Sequence, residues 1–89
     1  MTIINNTVII ADAKLTITGT VSMANGTKLT VQFNGTIVID GGTLQNADLL
    51  LNSGCHVIMK NGGSIIMRSG KKFNSPLGTI IDITNGNIQ

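Results

Sequence analysis

Four carboxylates, Asp12, Asp40, Asp48 and Asp82, and one adjacent pair, Cys55-His56, are the residues of this 89-residue chain with catalytic or metal-binding chemistry to offer. Hydrolysis of a polysaccharide usually takes two carboxyl groups flanking one glycosidic bond, one as acid and the other as base or nucleophile. The chain has no glutamate, so such a pair would have to come from these four aspartates. Their spacing gives no reason to stack Asp40 on Asp82. Asp40 directly precedes Gly41-Gly42, the place of a turn residue whose carboxylate bonds its own backbone. The carboxylates therefore read as structural, and no catalytic residue is assigned. Cys55 and His56 would point to opposite sides of an extended strand, and the chain holds no second Cys or His to complete a metal site. Cys55 reads as a small buried hydrophobe and His56 as an outward residue, so no metal or cofactor is expected.

Lys60, Arg68, Lys71 and Lys72 hold four of the six basic charges. If Lys60 and Arg68 shared one edge, these four would form a modest cationic patch able to meet phosphate or an acidic polysaccharide. The simpler reading is that they keep a nearly uncharged surface soluble. Trp and Tyr are absent and Phe occurs only at Phe33 and Phe73, so there is no aromatic platform for bases, and sequence-specific nucleic-acid binding is not expected. Threonine is abundant at Thr16, Thr18, Thr20, Thr30, Thr36 and Thr43. In register over several coils such residues could form an ice-binding face, but only Thr16-Ile17-Thr18 and Thr18-Gly19-Thr20 show Thr-x-Thr. Asn5, Asn25 and Asn34 match the Asn-x-Thr glycosylation pattern, which a chain rich in Asn and Thr produces by chance.

The elements that would position these residues are short strands. Leu15 and Ile17 alternate with polar residues in Lys14–Thr18, and the pattern recurs in Lys28–Gln32, Thr36–Asp40, Asp48–Asn52, His56–Lys60, Ser64–Arg68 and Thr79–Ile83. Between them stand Gly19, Asn25-Gly26, Asn34-Gly35, Asp40-Gly41-Gly42, Ser53-Gly54, Asn61-Gly62-Gly63, Ser69-Gly70 and Asn85-Gly86, all suited to sharp turns. No helical period persists, and no apolar run is long enough to span a membrane. Charged residues are 11% of the chain and apolar residues 42%, which points to a narrow aliphatic core under a surface of Asn, Thr, Ser and Gly.

Superposing Leu15-Thr16-Ile17 on Ile37-Val38-Ile39 takes a shift of 22 residues, and superposing the latter on Val57-Ile58-Met59 takes 20. Strand-and-turn steps of about seven or eight residues, three to a coil, predict an all-β solenoid, a right-handed parallel β-helix of about four coils over 1–89. An antiparallel sandwich or barrel is the alternative, with Asn25-Gly26 and Asn34-Gly35 as hairpin seeds. It leaves the uniformly short strands and the missing aromatic core unexplained. Residues 69–77, SGKKFNSPL, break the texture with two lysines and the only proline, and read as a loop protruding between coils.

Lys14 to Ala47, KLTITGTVSMANGTKLTVQFNGTIVIDGGTLQNA, resembles right-handed parallel β-helix segments of large secreted or surface proteins of Bacteroidetes-type bacteria, where L-T-I-x-G-x-V and I-x-I-D-G-G-x-L stretches precede further coils. Gln32-Phe33-Asn34-Gly35 departs from the Gly-Gly turn commoner there. The resemblance implies export to the cell surface or beyond, although MTIINNTVII has no basic start followed by a long apolar run. This fold serves adhesins, stalks and polysaccharide-active enzymes alike. The expectation is a non-catalytic structural or adhesive module, with a fragment of a polysaccharide-active enzyme as the competing class. Strand texture at Thr2-Ile3-Ile4 and at Asn87-Ile88-Gln89 suggests open ends, joined either to flanking coils of a longer helix or to further copies of the chain. A glycan or protein ligand would meet the outer faces.

Overall fold

A short strand such as Leu15-Thr16-Ile17 buries one face and leaves both backbone edges needing partners. In the computed structural model, which describes residues 2–3, 5–9, 11–74, 76–83 and 86–89, with backbone alone at Val8, those partners are other coils of the same chain. Ile4, Ser75 and Asn85, read from sequence as parts of a strand, a loop and a turn, lie outside the described residues. Among the described residues twelve strands follow one another: β1 (Thr2–Ile3), β2 (Thr7–Ile9), β3 (Lys14–Ile17), β4 (Thr20–Met23), β5 (Leu29–Val31), β6 (Thr36–Asp40), β7 (Thr43–Ala47), β8 (Leu49–Leu51), β9 (His56–Lys60), β10 (Gly63–Met67), β11 (Ile80–Asp82) and β12 (Gly86–Ile88).

They make three sheets, ordered β1-β4-β7-β10-β12, β2-β5-β8 and β3-β6-β9-β11. Every pairing among the described strands is parallel. The chain visits the first, second and third sheets in rotation, and about four turns stack into a right-handed β-helix. Asn25-Gly26 and Asn34-Gly35 are corners of this helix and not hairpin turns, which removes the antiparallel alternative. Leu15 faces Ile37 and Ile37 faces Val57, the pairs that the sequence shifts superposed.

Inside, aliphatic columns run along the axis: Leu15-Ile37-Val57-Ile81 from the third sheet, Val21-Leu44-Ile65-Ile88 from the first, and Ile9-Val31-Leu51 from the second. Ile37, Val57, Leu44, Ile65 and Val31 are wholly buried, each stabilising the fold by about 1.5–3 kcal/mol. Leu15, Ile81 and Ile88, at the ends of their columns, are half-buried because a coil covers them from one side only. The whole measures 27 × 26 × 23 Å, so four coils make a block as wide as it is tall.

Two corners repeat with different physics. Between the second and third sheets, Asp12, Asn34, Gly54 and Gly78 precede the strand starts in equivalent positions, and all have positive φ, from 59° to 88°. One inward step on, Ala13, Gly35, Cys55 and Thr79 form a column of small residues, joined by Thr36 N to Ala13 O (2.8 Å), His56 N to Gly35 O (2.8 Å) and Ile80 N to Cys55 O (2.9 Å). Between the third and first sheets, Gly19, Gly42, Gly63 and Gly86 stack. Here the requirement is space: a Cβ on Gly42 would run into the backbone of Gly19, one on Gly63 into the carbonyl of Ile39, and one on Gly86 into the carbonyl of Gly63.

The second sheet stops at β8. Residues 68–79, which contain the 69–77 segment, connect β10 to β11 with no strand among those described. Turns close Lys71 N to Arg68 O (2.8 Å) and Thr79 N to Pro76 O (3.1 Å), and Phe73 packs half-buried against the core.

Gly42→Ala and Gly63→Ala are each expected to cost about 1–3 kcal/mol in urea unfolding, because the coil below cannot move away without breaking its own ladder. A change within about 0.5 kcal/mol would show that backbone contact does not set this corner.

Candidate functional site

The densest polar arrangement lies where the first sheet turns into the second. Ile65 pairs with Leu44 but Met67 pairs with Ala47, so β7 holds one extra residue. Asn46 takes up that bulge with φ 55°, a conformation asparagine tolerates better than most residues. Its Nδ2 donates down one coil to Met23 O (2.7 Å) and to Asn25 Oδ1 (2.9 Å).

Arg68 leaves the end of β10 one coil above, with its amide donating to Ala47 O (2.8 Å). Its guanidinium turns back along the corner, where Nη2 donates to Asn46 O (3.1 Å) and to Ala24 O (2.8 Å), so one side chain spans three coils. Nη1 lies 3.7 Å from Asp48 Oδ2, and Lys71 Nζ lies 3.8 Å from the same oxygen. The Arg68 and Asp48 side chains are 11% and 16% exposed against 49% for Lys71, so the first pair is sheltered and the second faces water. A planar fork reaching two carbonyls and a carboxylate is a task for arginine that a lysine ammonium does poorly. The buried Nε of Arg68 has no hydrogen-bond partner among the described residues.

Of the four cations singled out in the sequence, Arg68 and Lys71 converge on Asp48, and Lys72 is exposed beside them. Lys60 ends β9, exposed and in register with Asp40. Lys60 and Arg68 flank opposite ends of the five-residue β10, roughly 16 Å apart along the strand, and do not share an edge.

The carboxylates occupy separate places. Asp40 accepts from Asn61 Nδ2 at 2.6 Å, a bond to the next coil where the sequence suggested a bond to its own backbone. Asp12 sits at a positive-φ corner, and Asp82 lies in register with Ile58 in the third sheet. Among the described residues no group of three or more His, Cys, Asp and Glu is placed to hold a metal ion. Cys55 is fully buried and His56 half-buried. Burial pushes the Cys55 thiol pKa up from its ordinary 9.0. The threonines divide among the faces: Thr16 and Thr36 lie in the third sheet, Thr20 and Thr43 in the first, Thr30 in the second. No face among the described residues repeats Thr-x-Thr over successive coils.

The Arg68 clasp escaped the sequence reading. Its one available signal is that the single arginine, among five lysines, stands at a strand end. Compared with protein families, curated proteins and solved structures, the chain matches none of them, and the site rests on its own geometry.

Arg68→Met is expected to lower stability by about 2–4 kcal/mol, through loss of charge-assisted bonds and an unpaired Asp48, with Arg68→Lys recovering little. Lys72→Ala should fall within about 0.5 kcal/mol of wild type in the same denaturation series. For Cys55, a raised folded pKa means its contribution is fully present below the ordinary 9.0 and is lost as pH rises above it. Thermal melts from pH 7 to 10 should show this decline, and Cys55→Ala should flatten it.

Proposed function

We propose that this chain is a non-catalytic structural module, a block of β-helix that provides rigid spacing and adhesive outer faces in an exported bacterial protein. The observation that carries the reading is where its polar side chains go. Ser22 donates to Gln45 (3.1 Å), Thr43 shares a bond with Ser64 (3.3 Å), Asn52 donates to Val31 O (3.1 Å), Asn61 donates to Asp40, and Arg68 clasps three coils. Groups that could converge on a substrate instead tie each coil to the next, which stiffens the block along its axis. The likeness of Lys14–Ala47 to surface-protein helices supports the exported bacterial setting.

The outer faces differ in kind. The first sheet presents Thr20, Ser22, Thr43, Gln45, Ser64 and Asn87, a flat uncharged array suited to water or a neutral glycan. Beside the second sheet, Phe33 (60% exposed) lies on Gly54, and the nearby Leu77 (94%) accepts a bond from the Ser53 hydroxyl. That edge suits a protein partner, while Lys71 and Lys72 would favour an acidic one.

The competing enzyme reading is tested by incubating the purified chain with neutral and acidic polysaccharides and following release of reducing ends or unsaturated products. No turnover is expected. Turnover abolished by Asp40→Asn or Asp82→Asn would overturn the structural reading.

A further inference from the structure

We propose that the peptide bond between Lys72 and Phe73 is a processing site, cut in the folded protein by a serine-type protease whose acidic pocket selects lysine. The proposal stands apart from the spacer reading, because it concerns one exposed segment and leaves the coils in place. Residues 69–72 and 74 are exposed. Gly70, with φ 83°, has nothing within 4 Å of the place a Cβ would take. Among the described residues no backbone hydrogen bond ties 72–74 to another part of the chain.

A protease takes its substrate as an extended strand, with residues on both sides of the cut drawn away from the protein. The six basic residues differ in how readily they yield such a strand. Lys14 lies in β3 and Lys60 in β9, paired with Thr36 and Asp40. Lys28 donates its amide to Asn6 Oδ1 (2.9 Å), and its carbonyl accepts from Thr7 N (3.0 Å). Arg68 is held by its amide on Ala47 O and by its guanidinium on Asn46 O and Ala24 O. To cut after any of these four, part of a coil must first come off its neighbours.

Lys71 and Lys72 stand instead in the connection from β10 to β11, which has no strand among the described residues. Lys71 is tied twice, by its amide to Arg68 O (2.8 Å) and by its ammonium, 3.8 Å from Asp48 Oδ2. Among the described residues Lys72 has neither tie, so its side chain is free to enter an acidic pocket. Phe73, half-buried against the core, must lift for the bond to be reached. One side chain lifts by local opening, which takes far less free energy than unfolding.

Water adds across the bond, its hydroxyl to the Lys72 carbonyl carbon and its proton to the Phe73 nitrogen, with no cofactor. Both new ends stay close to anchors. Before the cut, Arg68 keeps its bonds to three carbonyls. After it, Leu77 O accepts from the Ser53 hydroxyl (2.5 Å), Ile80 N donates to Cys55 O (2.9 Å), and β11 and β12 remain laddered on β9 and β10. The product is a β-helix in two pieces that remain together.

Limited digestion of the whole native chain with trypsin, followed by mass spectrometry, tests this. The pieces 1–72 and 73–89 should appear first, at least about tenfold faster than any cut after Lys14, Lys28, Lys60 or Arg68. On size-exclusion chromatography they should elute together at the position of the uncut protein. Lys72→Gln should slow loss of the intact chain at least about tenfold, whereas Lys71→Gln should be cut at least as fast as wild type. First cuts at the four tied positions, a Lys72→Gln protein cut as fast as wild type, or pieces that separate on the column would each overturn the proposal. So would a native wild type that resists trypsin while its heat-unfolded form is digested. None of these results bears on the spacer reading, which the polysaccharide assay tests separately.

Discussion

Backbone lying directly on backbone at one corner, with no side chain between, is the constraint on which the rest of the structure depends. Gly42, Gly63 and Gly86 bring the third-to-first turn of each coil onto the coil beneath. That close approach holds the neighbouring strands at ladder distance, about 4.8 Å, for the parallel hydrogen bonds that follow. Thr43 N reaches Gly19 O at 3.0 Å and Ser64 N reaches Gly42 O at 3.0 Å, each bond starting just beyond a glycine of the column. Once that spacing is set, identical inward positions fall above one another, and an interior of Ile, Val, Leu and Met fills without aromatic residues. The positive-φ corner on the other side only has to turn the chain, which is why Asp12 and Asn34 serve there as well as Gly54 and Gly78.

Stiffness along the axis has a second source in the polar corner. Asn46 bonds down one coil and Arg68 down two, so the bulge in β7 and the single arginine act together. The bulge turns the Asn46 side chain toward Met23 and Asn25 and leaves its carbonyl for the guanidinium. Charge here serves cohesion. The same is true of Asp40, whose carboxylate is held by Asn61 from the coil above. These ties run through a block that measures 27 × 26 × 23 Å.

Much of this was legible in the sequence, for reasons that differ by sheet. Strands of the third sheet, Lys14–Ile17, Thr36–Asp40 and His56–Lys60, alternate two or more inward aliphatics with outward residues, and their 22- and 20-residue shifts are the observed register. Strands β4 and β7 of the first sheet were harder to see. TVSM and TLQNA carry hydroxyls and amides on the outer face, and the bulge at Asn46 breaks their alternation. Glycines were legible as punctuation, but composition does not separate a glycine needed for positive φ, such as Gly54, from one needed for space, such as Gly42. The charged corner was not legible at all: Arg68 reaches Ala24 across 44 residues, and only the folded register brings them together. Lys60 and Arg68, eight positions apart in the chain, could share an edge as far as the sequence goes, but the five-residue β10 lies between them.

Backbone contacts in solution test the stacked-coil account most directly. Nuclear Overhauser effects between neighbouring strands should connect Leu15 with Ile37, Ile37 with Val57, and Val21 with Leu44, in the staggered pattern of parallel pairs. Close Hα–Hα contacts across Asn25-Gly26 or Asn34-Gly35, the mark of antiparallel hairpins, would contradict it.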